Sequence, residues 1–144
     1  MGKKRIVSQE GQRMDKSLRD RALSRISKKK ITSGVLNIQA TFNNTLVSLA
    51  DKSGNVIMSS SSGALGFKGA KKGTPFAAAK IGEVLSEKAK MIGLQEIDVV
   101  IRGVGSGRES AIRAFIAQGI DIRSIVDRTP VPHGGVRPKK PRRV

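Results

Sequence analysis

Lysines and glycines are interspersed in the stretch GFKGAKKGTP, Gly66 to Pro75, and this combination suits a loop that holds phosphate. Lys68, Lys71 and Lys72 supply positive charge, and glycine lets a ligand approach the backbone closely. The Thr-Pro pair is typical of a helix start, where backbone amides and aligned peptide dipoles favour an anion. The stretch therefore predicts a phosphate-binding loop, whose phosphate could belong to a nucleotide or to a nucleic-acid backbone.

Two nucleotide-binding patterns can be tested, and both fail on spacing. The P-loop pattern needs its second glycine where Lys71 stands. A later segment, GVGSGRES at Gly103 to Ser110, has Arg108 at the third glycine of a dinucleotide fingerprint. We therefore expect no nucleotide-dependent enzyme and interpret Arg108 as a second phosphate contact, with a plain tight turn as the alternative for Gly103–Gly107.

Other chemistries are limited by the residues available. The chain has no cysteine and a single histidine, His133, which excludes thiolate sites and most imidazole chemistry. The aspartates near predicted strand ends form no demonstrable cluster, so we expect no catalytic residues, no metal site and no cofactor. No apolar run approaches the roughly 18 residues of a membrane span, and we expect a soluble intracellular protein without a membrane partner.

The charge balance indicates a polyanionic partner. Lysine and arginine number 28 against 11 acidic residues, a net charge of +17 with a pI near 11.2. Residues 1–33 carry 11 basic and 3 acidic side chains, and residues 128–144 carry 6 basic and none acidic. Solvated tails are the alternative interpretation, but cationic arms on both sides of a nearly balanced centre favour nucleic acid. A membrane surface is less suitable, because the arms lack an apolar face.

The elements that must position these residues follow from hydrophobic periodicity. Apolar and polar residues alternate in VLNIQATF and TLVSLA, and VIMSS follows a DKSGN turn, which predicts a three-stranded meander. A helix then begins at Thr74-Pro75 and ends at Gly93. The segment IDVVIR predicts a strand covered on both faces.

A second helix and a last strand complete the predicted order. Ser106 and Glu109 have capping-box spacing, and Ile112, Phe115 and Ile116 form the apolar stripe of that helix. A strand over 121–127 follows. The order βββαβαβ predicts an α/β fold, a five-stranded mixed sheet with helices packed on it.

The same patterns divide the chain into three parts. Residues 1–33 are predicted to be a basic N-terminal extension, partly helical over 10–28, where the narrow apolar stripe indicates a helix that orders on a partner. Residues 34–127 are predicted to form a globular α/β domain that binds the expected nucleic acid. Residues 128–144 form a basic, extended C-terminal tail, because its prolines disfavour regular structure.

Aromatic residues are scarce, and this limits the expected mode of recognition. The chain has no tryptophan or tyrosine. Phe42, Phe76 and Phe115 are predicted to face the core, with only Phe67 in an exposed loop. Recognition of the nucleic acid should then depend on its backbone and shape rather than on stacking of its bases.

Four long segments carry a family resemblance. IQATFNNT, SSSSGALGFKGAKKGTPFAA, RGVGSGRESAIRA and DRTPVPHGGVRPKKPRRV resemble, in this order and spacing, the bacterial-type small-subunit ribosomal protein S-eleven, over about residues 34–144. The resemblance implies a five-stranded sheet between helices and a structural, non-catalytic protein of the cytoplasmic ribosome. It also implies binding to small-subunit ribosomal RNA on the platform, a role in platform assembly, and proximity to the messenger-RNA exit where Shine-Dalgarno pairing occurs. Implied neighbours are the small-subunit proteins S-six, S-eighteen, S-seven and S-twenty-one.

The predicted RNA contacts combine the cationic positions with those that match the family's motifs. They are Asn43, Asn44, Lys68, Lys71, Lys72, Arg108, Arg128, His133, Arg137, Lys139, Lys140, Arg142 and Arg143. Relative to the family, Val104 and Ser106 replace prolines of the second loop, and Gly134 replaces an asparagine. A general nucleic-acid chaperone or nucleoid-type protein is the alternative function.

Overall fold

The computed structural model of the protein describes residues 20, 21, 24 and 29–143. In this part the strands are β1 (Ser33–Ala40), β2 (Thr45–Ala50), β3 (Val56–Ser61), β4 (Glu96–Arg102) and β5 (Asp121–Asp127). The α-helices are α1 (Pro75–Ile92) and α2 (Arg108–Ala117), with a short 3₁₀ helix at Gly69–Gly73. The predicted order βββαβαβ is confirmed. Asp20, Arg21 and Ser24 have helical backbone, and the rest of the helix predicted over 10–28 lies outside the described residues.

The five strands form one mixed sheet in the order β3-β2-β1-β4-β5. The meander makes β1–β2 and β2–β3 antiparallel, whereas the crossovers through α1 and α2 make β1–β4 and β4–β5 parallel. The predicted five-stranded mixed sheet is therefore confirmed. Parallel neighbours need such crossovers, because a tight turn cannot return the chain in the same direction.

The core lies on one face of this sheet. Register places Leu36 opposite both Leu49 and Val99, and all three side chains are fully buried. Ile81 of α1 and Phe115 of α2 belong to the same apolar cluster, so both helices cover this face. The resemblance implied a sheet enclosed between helices. Within the described residues, helices cover only one face of the sheet.

The strand β4 shows the consequence of this one-sided cover. Ile97, Val99 and Ile101 are buried, while Asp98 and Val100 between them are only half-buried. The prediction that both faces of this strand are covered is wrong. The segment IDVVIR is largely apolar because Ile97, Val99 and Ile101 face the core, and Val100 adds one further apolar side chain on the open face.

The two helices approach each other closely at a glycine. A Cβ on Gly82 of α1 would lie 2.6 Å from the Cβ of Ala114 and 2.8 Å from the carbonyl oxygen of Ala111 in α2. Small residues at this crossing hold α1 and α2 side by side. Because α1 leads into β4 and α2 leads into β5, and these strands are parallel, both helices start at the same end of the sheet.

The start of α1 is as predicted and that of α2 is not. Thr74 Oγ1 accepts a hydrogen bond from the Ala77 amide at 3.3 Å, Pro75 is the first helical residue, and Gly93 ends the helix at φ 90°. The residue before α2 is Gly107, and no side chain caps this helix. Ser106 lies one position too early for a capping box, and its hydroxyl donates to the Gly73 carbonyl at 3.1 Å.

Two of the phenylalanines lie outside the core, contrary to prediction. Phe42 is 77% exposed and Phe76 is 63% exposed, whereas Phe115 is fully buried as predicted. Phe42 follows the end of β1, so strand alternation no longer directs its side chain inward. Phe67, predicted to be exposed, packs against the core, and Ile116 is exposed although it was assigned to the buried stripe.

The end of the sheet away from the helix starts is fastened by an ion pair. Lys29 Nζ lies 2.8 Å from Asp51 Oδ2, and the Asn55 amide donates to Asp51 Oδ1 at 2.9 Å. The hydrogen bond from Lys29, followed by that from the Asn55 backbone, lowers the pKa of Asp51 to about 2. This carboxylate therefore joins the segment before β1 to the β2–β3 turn.

Candidate nucleic-acid interface

Three loops meet where β1, β3 and β4 finish and both α-helices begin. They are the hairpin turn Thr41–Asn44, the glycine-lysine segment 66–74 and the loop 103–107; we call this region the loop end. It forms because β1 and β4 are parallel, so their carboxyl ends lie at the same edge of the sheet. Loops at this edge of an open α/β sheet are a common place for ligand sites.

Glycines hold the three loops together. A Cβ on Gly73 would overlap the Phe42 carbonyl oxygen, and one on Gly105 would overlap the Thr41 carbonyl oxygen. The Gly105 amide also donates to the Ala40 carbonyl at 2.9 Å. These glycines thus allow close approach of the hairpin backbone, whereas the sequence suggested that they allow approach of phosphate.

The hairpin turn is closed by its own side chains. The Thr41 amide donates to the Asn44 carbonyl at 2.8 Å, and the Asn44 amide donates to Thr41 Oγ1 at 3.0 Å. The Thr45 amide donates to Asn44 Oδ1 at 2.9 Å, so this oxygen is engaged and the amide nitrogen is the group left for a ligand. Asn43 is exposed at the tip. The two asparagines therefore differ in what they can offer to RNA.

The glycine-lysine segment is a compact turn rather than an open cradle. The Thr74 hydroxyl and amide both donate to the Lys71 carbonyl, at 2.7 and 3.3 Å. Because Pro75 has no N–H and the Ala77 amide bonds to Thr74, the start of α1 has few amides to give. An anion at this helix start would therefore depend on the lysine side chains more than on backbone amides.

The lysine side chains of this segment remain available. Lys68 and Lys71 are exposed, and Lys72 is half-buried. None of them forms an ion pair with a carboxylate of residues 29–143. Uncompensated ammonium groups of this kind attract phosphate through space, without fixed geometry.

Arg108 has a partner within the protein. Its guanidinium forms an ion pair with Asp127 at the end of β5, and its side chain is 33% exposed. Hydrogen bonds from Thr129, and then from Arg108, lower the pKa of Asp127. Arg108 therefore fixes the junction between α2 and the C-terminal tail, and only part of its donor capacity faces solvent.

The tail begins at the loop end and leaves it after a few residues. The Arg128 amide donates to the Ile101 carbonyl at 2.8 Å, and the Gly103 amide donates to Thr129 Oγ1 at 3.2 Å. Beyond this anchor, residues 130–143 have no helix or strand and are exposed. The predicted contacts on the tail, all exposed, are Arg128, His133, Arg137, Lys139, Lys140, Arg142 and Arg143.

The open face of the sheet carries a depression of about 560 Å³. Its lining includes Asn37, Gln39, Ser48, Ser59 and Arg102, and the described residues that line it include no acid and no histidine. Residues 29–143 hold no group of three or more acids or histidines that could bind a metal ion. In the same part of the chain, neither α-helix has the length and apolarity that crossing a bilayer requires.

Phe42 is an exposed residue of the loop end that the sequence patterns did not include among the predicted contacts. The signal that could have indicated its exposure was its position between Thr41 and Asn43, in the turn that follows β1. Lys80, on α1, was likewise not among the predicted contacts. Its Nζ lies 5.6 Å from the centre of the Phe76 ring and 3.0 Å from Glu83 Oε2.

Fold and site together have the organisation of a polyanion-binding protein: an α/β domain that presents exposed cations at one end and extends a basic tail from it. The family model described as Ribosomal protein S11 matches residues 34–143. The chain therefore belongs to the ribosomal protein S11 family, whose members are structural, non-catalytic proteins of the small ribosomal subunit.

Proposed function

We propose that this protein binds small-subunit ribosomal RNA through its loop end and its tail, as a structural constituent of the platform in the cytoplasmic ribosome. The observation that carries the proposal is the group of exposed lysines at the loop end without carboxylate partners in residues 29–143. Each such cation that neutralises a phosphate releases a counterion and thereby strengthens binding.

The predicted contacts divide into two groups by their geometry. Lys68, Lys71 and Asn43 sit on a folded surface and suit backbone contacts that fix the orientation of the domain on RNA. The tail cations lie on a segment without regular structure, which suits a strand that follows the phosphate backbone. Arg108 is assigned to the junction with the tail as well as to RNA, because Asp127 already engages its guanidinium.

The resemblance extends the proposal to the surroundings of the protein. Contact with S-six, S-eighteen, S-seven and S-twenty-one, support of platform assembly and a position near the messenger-RNA exit are proposed on that basis. Co-sedimentation of the tagged chain with small subunits at moderate salt tests the assignment to the ribosome. A chain found only in the light fractions would contradict it.

The salt dependence of RNA binding tests the contacts themselves. Replacing Lys68 and Lys71 together by glutamine should reduce the slope of log K against log salt by about 1.5, because each phosphate contact contributes about 0.7–0.9. Lys52 is the matched control, since it is exposed in the β2–β3 turn at the opposite end of the sheet. Equal slopes for the double variant and Lys52→Gln would exclude the loop lysines as phosphate contacts.

The tail is tested by deletion of residues 137–144, which removes five cations. The slope should fall by up to about 4 if each contacts one phosphate. Competition with duplex DNA separates the alternative function: a general nucleic-acid chaperone binds DNA and ribosomal RNA alike, whereas the proposed function requires preference for the ribosomal RNA.

A further inference from the structure

The ring of Phe42 contributes little to the fold, yet its residue belongs to the loop end, which also carries the exposed lysines. It is 77% exposed and is absent from the apolar core cluster. Isolated exposed apolar residues are common on protein surfaces. This one differs by its place, because the hairpin turn that carries it packs against Gly73, directly after Lys71 and Lys72.

The backbone beneath the ring is fixed. Hydrogen bonds between Thr41 and Asn44 close the turn, and the carbonyl of Phe42 packs against Gly73. The side chain of Asn43 beside it is exposed and has no hydrogen-bond partner among the described residues. A rigid turn thus presents an aromatic ring next to an unused carboxamide, so binding would lose little conformational entropy.

Phe76 offers a useful comparison within the same end of the molecule. Its ring meets Phe67 edge to face, with centroids 6.0 Å apart and planes at 82°, and the Lys80 ammonium lies 5.6 Å from its centre. Phe76 is therefore already used in an internal cluster. Phe42 has neither an aromatic nor a cationic neighbour of this kind in the part of the chain that the structure describes.

We propose, on the basis of the proposed function, that Phe42 stacks on an unpaired base of the ribosomal RNA while the neighbouring lysines contact its phosphates. Every base has a π face, and basic surfaces that contain exposed aromatic rings bind single strands in this way. The lysines of the loop end favour binding of a polyanion. The Phe42 ring favours a polyanion that has an unpaired, accessible base. Recognition at this position thus goes beyond backbone and shape.

The experiment measures binding of the full chain and of Phe42→Ala to three probes over a range of salt: purified small-subunit ribosomal RNA, a single-stranded oligoadenylate and a fully paired RNA duplex. Phe42→Ala should bind the first two about 5- to 150-fold more weakly, because stacking is lost. Its salt slope should equal that of the original chain, since no cation is removed. Binding to the duplex should not change.

Two variants control the measurement. Phe42→Tyr retains a ring and should bind the single strand within a factor of about three of the original chain. Met91→Ala removes an exposed apolar side chain at the far end of α1 and should bind all probes normally. Equal thermal midpoints of unfolding for the chain and Phe42→Ala would show that folding is intact.

The outcomes are distinct. Unchanged affinity of Phe42→Ala for both probes with unpaired bases overturns the proposal, as does an equal loss on the duplex. Normal RNA binding combined with loss from assembled small subunits assigns Phe42 to a protein neighbour and also overturns it. Absence of preference for ribosomal RNA in the original chain refutes the proposed function alone, because the oligoadenylate comparison still reports on stacking.

Discussion

Substitution of Gly73 by alanine should destabilise the fold through a steric conflict with the hairpin turn. An ideal Cβ at this position would overlap the Phe42 carbonyl oxygen, and would lie 2.9 Å from the carbonyl carbon and 3.3 Å from the Asn43 Cα. These are backbone atoms of a turn closed by several hydrogen bonds, so they cannot rotate away as a flexible side chain would. The turn and the 3₁₀ helix must then separate.

The size of the effect follows from the cost of inserting a methyl group into a packed site, about 1–3 kcal/mol. For a domain of this size, about 4 °C of thermal midpoint corresponds to each kcal/mol, so the midpoint should fall by about 4–12 °C. Thermal unfolding followed by circular dichroism measures it. Binding to ribosomal RNA, measured well below both midpoints, should also weaken, because the lysines and the hairpin lose their relative position.

Gly63→Ala is the matched control in the same region. A Cβ there would meet only the Lys72 side chain at 3.8 Å and Ser61 Oγ at 4.0 Å, which are ordinary contact distances. It should change the free energy of unfolding by less than about 1 kcal/mol, in the stabilising direction. If Gly73→Ala unfolds at the same temperature as Gly63→Ala, the packing role assigned to Gly73 is wrong.

The remaining predictions concern two buried polar groups. The pKa of Asp51 is lowered to about 2, below the ordinary aspartate value of about 4, so its ion pair stabilises the fold above about pH 4 and this contribution is lost as the pH falls towards 2. The thermal midpoint of Asp51→Asn should therefore lie below that of the original chain at pH 6 and converge with it near pH 2; a difference independent of pH would contradict this. Thr45 is fully buried, and its hydroxyl has no hydrogen-bond partner in the described part of the chain. Thr45→Val should therefore raise the free energy of unfolding by about 1–2 kcal/mol in urea titrations, while Thr45→Ser, which keeps the hydroxyl and loses a methyl group, should lower it.

Local signals in the sequence predicted most of the scaffold. Strand alternation gave the buried face of β1 and β2, and the Thr74-Pro75 pair and Gly93 gave the limits of α1. These features depend on neighbours within a few residues, which is the range over which periodicity and capping operate. The charge distribution along the chain is likewise independent of the fold, and it indicates a polyanionic partner by itself.

Contacts between distant segments decided the rest. Ser106 does not cap the helix that begins at Arg108. Its hydroxyl bonds instead to the carbonyl of Gly73, 33 residues earlier. The partner of Arg108 is Asp127, which no pattern around either residue could indicate. Gly73 is required by the carbonyl of Phe42, although the sequence suggested a role in holding phosphate.

By itself, then, the sequence determined the order of the elements, the buried face of β1 and β2 and the sign of the partner's charge, because each depends on composition or on local spacing. Only the tertiary structure decided which face of the sheet the helices cover, which loops meet at the loop end and which phenylalanine rings remain exposed. Those outcomes depend on contacts between residues far apart in the chain, such as the approach of α1 to α2 at Gly82 and of Gly73 to the Phe42 carbonyl.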